Sequence, residues 1–316
     1  MAQINTLLCN KDFLGTGLNP CEFIQKKEWY SFIKVPSGWS LSISELEGLT
    51  KAEVIALVQQ TTFDLFYNAT AFTDNTADPT NEDFSSGISL TVRNGLPMLQ
   101  FEFRHGIAFQ SAASSKNTSM QGGVILIDRD NNIYGTWNND ETEFSGFTLS
   151  MFNTQTYRPT TGDTGARTLI DMQLANEVEI NRRMAVITAD SLGFNIVKDI
   201  KPIVSTYVVI NSASVANGIN VTINGLGNRG YGMPGITVDN IRVVDMTDNT
   251  VESIDTVSTG IEVGNYTITF DPDLTLGHQV KVVLWDATAT PPVATALLAD
   301  DVTLLKGESK PFTVTA

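Results

Sequence analysis

The stretch Gly122 to Phe152, GGVILIDRDNNIYGTWNNDETEFSGFTLSMF, constrains the fold more than any other part of the chain. Val124 to Asp128 is a short apolar run rich in β-branched residues. Arg129 to Asn132 is a polar turn, Ile133 to Trp137 resumes the strand pattern, and Gly146 to Phe152 adds a third strand. Three neighbouring strands make a sheet with an apolar face, and such a face needs a second layer to cover it. The reading is a mainly β protein organised around this stretch.

The chain has 316 residues, which predicts about two domains, each long enough to bury a core. Lys and Arg number 20 against 35 Asp and Glu, giving a formal net charge of −15 and an isoelectric point near 4.5. A chain of that charge repels nucleic acid and anionic membrane surfaces. The excess is spread out: Met1 to Ile200 carries 14 basic and 23 acidic residues, and Lys201 to Ala316 carries 6 and 12. The opening MAQINTLLCNKDFLG has neither the basic leader nor the apolar core of a signal peptide, and no apolar run has the length of a membrane span. The expectation is a protein made in a cytoplasm, where Cys9 and Cys21 remain thiols.

Taken in order, residues 1–20 read as an extended arm and Glu22 to Val35 as a strand closed by Pro36-Ser37-Gly38. Thr50 and Glu53 have capping-box spacing, with Leu49 and Val54 placed as a hydrophobic staple, so a short helix is expected from about Lys51 to Gln60. Ala52, Ile55 and Val58 are its expected buried stripe. Thr61 to Phe72 returns to strand character, Thr73 to Asp83 reads as an acidic surface loop, and Ile88–Val92 with Leu99–Phe103 read as a hairpin through Asn94-Gly95.

Residues 106–123, GIAFQSAASSKNTSMQGG, are almost all small or polar and read as a long loop that orders against a neighbouring subunit. Ile107, Phe109 and Met120 are the candidate contacts of that assembly loop. Tyr157 to Gly165 is a second loop and Ala166 to Leu174 a strand. Ala175 to Asp190 mixes helix formers with β-branched residues and is expected to continue as strand.

A domain boundary is expected near Lys201-Pro202, giving domains 1–201 and 202–316. Beyond it short β-runs recur about every ten residues, the spacing of an immunoglobulin-like sandwich. They are Val204–Ile210, Ile219–Ile223, Ile236–Val244, Thr250–Val257, Tyr266–Phe270, Gln279–Trp285, Val293–Ala299 and Pro311–Val314, with Trp285 the expected core aromatic.

The motifs that could carry chemistry are weak. Gly225 to Gly230, GLGNRG, matches the dinucleotide fingerprint, but the Tyr231-Gly232-Met233-Pro234-Gly235 that follows forbids the required helix. Asp128, Asp130 and Asn132 have calcium-loop spacing, yet Ile133 and Asn139 stand where the loop needs Gly and Glu, so a polar turn is the better account. His105 and His278 lie far apart in sequence and read as surface or interface residues. The carboxylate pairs Glu141/Glu143 and Asp271/Asp273 are the kind that chance supplies in an acidic chain. Lys26, Lys27 and Lys34 beside Trp29 and Tyr30 are too few for a nucleic-acid patch. No catalytic, cofactor or metal residue is assigned, and the chain is expected to be non-enzymatic without a cofactor.

The plan of an N-terminal mixed β-sheet or barrel domain with one short helix, a long small-residue loop and a C-terminal Ig-like module resembles virion structural proteins of tailed bacteriophages. LIDRDNNIYGT and GFTLSMFNTQTYRP are similar to a pattern in phage proteins from Bacteroidota hosts. The resemblance implies a virion protein that assembles with itself and other virion proteins, as a tail tube subunit. It leaves open a capsid auxiliary or head-fibre protein. A carbohydrate-binding adhesive module using Tyr231 and Trp285 is the alternative outside that class.

Overall fold

The computed structural model describes residues 27–60, 62–83, 89–119, 122–200, 203–215, 218–225, 231–287, 296–297 and 304–316. The arm at 1–20, Cys9, Cys21, Lys26, Met120, Lys201-Pro202 and most of the GLGNRG stretch lie outside them. The protein is mainly β. Its contacts divide it into two units, Met1–Val54 with Thr62–Asp199 and Ile55–Thr61 with Ile200–Ala316.

The first unit contains β1 (Trp29–Val35), β2 (Ser40–Ser42), α1 (Ile43–Glu47) and the start of α2 (Lys51–Gln59). Then come β3 (Asp64–Phe66), β4 (Ala71–Asp74), β5 (Thr80–Asp83), β6 (Ser89–Arg93), β7 (Met98–Phe103), α3 (Ile107–Ser114) and β8 (Thr118–Ser119). The centre follows as β9 (Gly123–Asp128), β10 (Ile133–Trp137), β11 (Glu143–Ser145) and β12 (Phe147–Thr154). The unit closes with β13 (Thr168–Leu174), α4 (Glu177–Arg182), β14 (Met184–Ile187), α5 (Ala189–Leu192) and α6 (Ile196–Asp199).

Every residue of β9 is buried, and both of its edges are paired. One edge pairs β1 from Asp128 to Gly123. The other pairs β10 through Leu126 and Ile127 and β12 through Val124 and Gly123. The order β2-β11-β10-β9-β12-β13-β7-β4 extends the sheet on both sides. Over it lies an aromatic core in which Phe32 stacks on Phe66 at 4.6 Å and meets Phe101 at 5.0 Å and Phe152 at 6.0 Å. Truncating a fully buried Phe such as Phe32 removes about 3–5 kcal/mol of such packing.

The turn between β9 and β10 accounts for the DRDNN sequence. Asp128 is buried, and its Oδ1 accepts the backbone N–H of Asp130 and of Asn132, both at 2.9 Å. Its Oδ2 accepts Asn132 Nδ2 at 2.8 Å and the Tyr134 hydroxyl at 2.7 Å. Asn131 sits at φ 65°, and its side chain accepts from Ile196 N and donates to the Phe194 carbonyl. Asn132 Oδ1 accepts Ala189 N at 3.2 Å, so the same turn also fixes the starts of α5 and α6.

The helix at Lys51 has its expected cap. Glu53 N donates to Thr50 Oγ1 at 3.3 Å while Thr50 N donates to Glu53 Oε2 at 2.7 Å, which is the reciprocal capping box. The buried stripe differs from expectation: Val54, Ile55, Val58 and Gln59 are buried and Ala52 is exposed. Gln59 groups with the second unit, where its Nε2 donates to Asp286 Oδ2 at 2.8 Å. Ser42 and Glu45 form another capping box one helix earlier, at α1.

Several expectations are corrected. The described part of residues 106–123 is not one long loop: α3 covers Ile107–Ser114, and Thr118 and Ser119 pair with β12. Alanines and serines that bury little still form helix once Phe109 and Ala113 can pack inward. Beside the one helix expected in this half stand α1, α3, α4, α5 and α6. Ala175 to Asp190 is helix, strand and helix rather than continuous strand, with Asn176 capping α4 through Val178 N. Ile88–Val92 and Leu99–Phe103 do not form a hairpin, because β6 pairs β5 whereas β7 pairs β4 and β13. Gly95 instead lies against the segment between β4 and β5, where a Cβ would collide with the Ala77 carbonyl oxygen. Thr73 to Asp83 is accordingly a loop only in its middle, with Thr73 and Asp74 in β4 and Thr80–Asp83 forming β5.

The second unit adds β15 (Val204–Ser214), β16 (Gly218–Gly225), β17 (Ile241–Asp245), β18 (Thr250–Val251), β19 (Ile254–Thr259) and β20 (Asn265–Phe270). It ends with β21 (Gln279–Leu284), β22 (Ala296–Leu297), β23 (Leu304–Lys306) and β24 (Phe312–Thr313). They form two sheets, β19-β20-β16-β15-β23-β22 and β18-β17-β21-β24. Alternating residues of both, among them Val221, Ile223, Val243, Ile268, Val282 and Leu284, share one core. Its buried aromatic is Tyr266, whose hydroxyl donates to the Met233 carbonyl. Trp285, expected there, is only half-buried and lies under the Arg242 guanidinium at 4.6 Å.

Two substitutions test these readings. Asp128→Ala leaves the Tyr134 hydroxyl and two turn amides without their acceptor and is expected to cost about 3 kcal/mol or more, read by denaturant unfolding. Thr50→Ala removes only the cap and is expected to cost about 1 kcal/mol.

Candidate functional site

Of the three expected assembly contacts, two fall among the described residues, and they differ in exposure. Ile107 opens α3 at 70% exposure and is available to a partner. Phe109 is not: its ring lies 5.1 Å from Phe103, 5.0 Å from His105 and 6.0 Å from Phe66. Met120 is outside the described residues.

Two other features project from the N-terminal sheet. β5 and β6 form a two-stranded ribbon that pairs with no other strand among the described residues. Residues 75–82 at its base and along β5 are exposed. From Thr73 to Val92 the sequence holds Asp74, Asp78, Glu82 and Asp83 and no Lys or Arg. The ribbon leaves the sheet at the Met98 end of β7, where Asn75 N donates to the Met98 carbonyl and Met98 N to Thr76 Oγ1.

The second projection is the turn that joins β12 to β13. Gln155 N donates to the Leu169 carbonyl, Arg158 and Arg167 exchange backbone bonds at 3.1 and 3.0 Å, and Thr161 N closes the tip on the Thr164 carbonyl at 2.8 Å. A groove of about 700 Å3 runs along it, walled by Gln155, Tyr157, Arg158, Thr161, Thr164 and Arg167. Arg104 reaches the same place, its Nη1 3.7 Å from where a Cβ on Gly165 would stand. Glu102 is held between Arg104 and Arg167 at 3.1 and 3.0 Å. Burial pushes its carboxyl up, but the two arginine hydrogen bonds outweigh burial and hold it below the usual range. Arg158 Nη2 donates to the neutral Gln155 Oε1 at 2.8 Å. This is a polar surface rich in guanidinium N–H donors, suited to carboxylates.

The third feature gathers titratable groups at one end of the second unit. His278 Nδ1 donates to Asp245 Oδ2 at 2.6 Å and lies 3.6 Å from Asp248 Oδ2. Asp245 is buried, and its Oδ1 accepts the N–H of Thr247 and Asp248. The hydrogen bond that His278 donates to Asp245, with Asp248 and Glu252 adding negative charge, raises the His278 pKa above its ordinary 6.5. Asp245 is lowered from 3.8: burial opposes this, and the His278 and backbone bonds overcome it. The three ligand atoms lie within 4.8 Å of one another, as a divalent cation would need. A cation here would have to displace the imidazole proton, and the carboxylate is already satisfied by three donors. The group is therefore read as an ion pair that closes the β17–β18 turn.

The remaining candidates join no cluster of three or more metal-ligating side chains among the described residues. His105 is exposed and bonds the Tyr67 carbonyl. Glu141, Glu143, Asp271 and Asp273 are exposed, the first at a left-handed turn position. Tyr231 is 57% exposed, whereas Trp285 has a ring face covered by Arg242. Sequence reading missed the Asp245–His278 pair because the residues are 33 apart, and only the register that pairs Asp245 with Val280 joins them.

Scanned against protein-family models the chain matches none, and no curated protein matches it. No described helix is long and apolar enough to cross a membrane.

Removing the ion pair has a signed consequence. His278, raised when folded, contributes stability that is full below pH 6.5 and lost as pH rises through its folded value. Asp245, lowered when folded, contributes stability that is full above pH 3.8 and lost in acid. The pair therefore acts fully between those values, and His278→Gln is expected to flatten the fall of unfolding temperature above pH 6.5.

Proposed function

We propose that this chain is a non-enzymatic structural subunit that self-assembles through its N-terminal unit. Its setting is the one the sequence resemblance implies, the virion of a tailed bacteriophage, where it serves as a tail tube subunit. The C-terminal unit is then an Ig-like module, and the partners are further copies of the chain and other virion proteins.

The observation that carries this reading is the β5–β6 ribbon, which has no third strand among the described residues. A lone two-stranded ribbon is marginal in water, and its open edges offer N–H and C=O groups to another chain. A neighbouring copy supplies what the ribbon lacks. The net charge of −15 adds a functional argument, since the wall of a DNA conduit must not hold phosphate, and an acidic wall repels it.

Electron microscopy and sedimentation of the purified chain test the proposal. Rings or tubes are the expected result. A chain that stays monomeric at every concentration overturns self-assembly, and closed shells overturn the tube in favour of a capsid role.

A further inference from the structure

We infer that the groove beside Arg158 receives the acidic β5–β6 ribbon of a second copy of this chain, so that N-terminal units join head to tail. The inference rests on the self-assembly reading and specifies its interface.

Register places the two features at opposite ends of the same strands. β13 pairs β7 with Thr168 opposite Phe103, so Arg104 and Arg167 lie just beyond one end. β4 pairs β7 with Asp74 opposite Leu99, so the ribbon starts from the other end. The five residue steps from Met98 to Phe103 separate those ends by roughly 17 Å of extended strand. The ribbon starts at the end of the strands opposite to its own unit's groove, so the occupant is assigned to another copy. An interface between two different patches is heterologous, and it generates rings or filaments rather than closed dimers.

Charge supports the pairing. The ribbon offers Asp74, Asp78 and Glu82, all exposed, with Arg93 the one basic residue of its two strands. The groove offers Arg104, Arg158 and Arg167. Its nearby carboxylates are Glu102, Asp171 and Asp163. Glu102 is engaged by two arginines, and Asp171 by the amides of Gln100 and Gln155 at 2.7 and 2.6 Å. Only Asp163 is exposed. Each guanidinium carries five N–H donors in a planar fork, so donors remain for incoming carboxylates after the bonds to Glu102 and Gln155. In a chain with 35 acidic residues, a surface with three arginines is a selective partner for the chain's own acidic projection.

A charge exchange in the full-length protein tests the inference by sedimentation and electron microscopy. The groove variant is Arg104→Glu with Arg158→Glu, and the ribbon variant is Asp78→Lys with Glu82→Lys. Alone, each presents like charges at both ends and is expected to associate about tenfold or more weakly than the native chain. Mixed, the native ribbon of the first meets the native groove of the second, and the two reversed surfaces also match. Assembly is therefore expected to return in the mixture, and rescue excludes misfolding as the cause of the loss. Variants that assemble like the native chain, or a mixture that stays as weak as its parts, overturn the inference while self-assembly stands. A native chain that never associates overturns both.

Discussion

The carboxylate of Asp128 is the constraint on which the N-terminal unit depends. A buried carboxylate is costly unless its lone pairs are met, and here four donors meet them: two amides of the turn, the Asn132 side chain and the Tyr134 hydroxyl. Those donors can converge only if the chain reverses within Asp128–Asn132, which fixes how β10 returns against β9. Burial, with the hydrogen bond to Asp128, also drives the Tyr134 hydroxyl well above its ordinary pKa, so it stays a donor. Asn131 and Asn132 then carry the same turn outward to α6 and α5. One polar turn thus sets a strand register and two helix starts.

This explains which parts of the fold were legible in the sequence. Val124 to Asp128 and Ile133 to Trp137 read as strands because buried central strands require continuous apolar runs, and both are buried throughout. The Thr50 cap was legible because a capping box is local, its two bonds spanning three residues. The α3 helix was not. Nothing in IAFQSAAS forms a strong apolar stripe, and its position depends on Phe103, His105 and Phe66 receiving Phe109. The β5 strand was hidden for a related reason: TNED is polar, with Thr80 to Glu82 exposed, and carries no alternation that distinguishes it from a loop.

In the second unit the alternating pattern located nearly all strands, since one face of each sheet is buried and the other is wet. It did not identify the core aromatic. Tyr266 lies in β20 and Trp285 directly follows β21, and choosing between them requires knowing that Arg242 lies over the tryptophan while Met233 receives the tyrosine hydroxyl. The Asp245–His278 pair belongs to the same class of fact. Neither residue has a local signature, and strand register alone brings them to 2.6 Å.

The proposed association surfaces of the N-terminal unit lie apart from the residues that carry its stability. Among the residues whose burial is described, the core cluster draws on β1, β7, β9, β12 and β13, but not on Thr80 to Glu82 of β5 or on the turn from Gln155 to Arg167. Both projections therefore have surfaces whose charge is free to change without opening a cavity, because the rows of Phe and Ile that resist unfolding lie elsewhere. In the proposed assembly, a subunit built this way meets its neighbours through polar hairpins while its own core is complete, so that pairing at the open ribbon edge extends a folded sheet rather than recruiting unfolded chain.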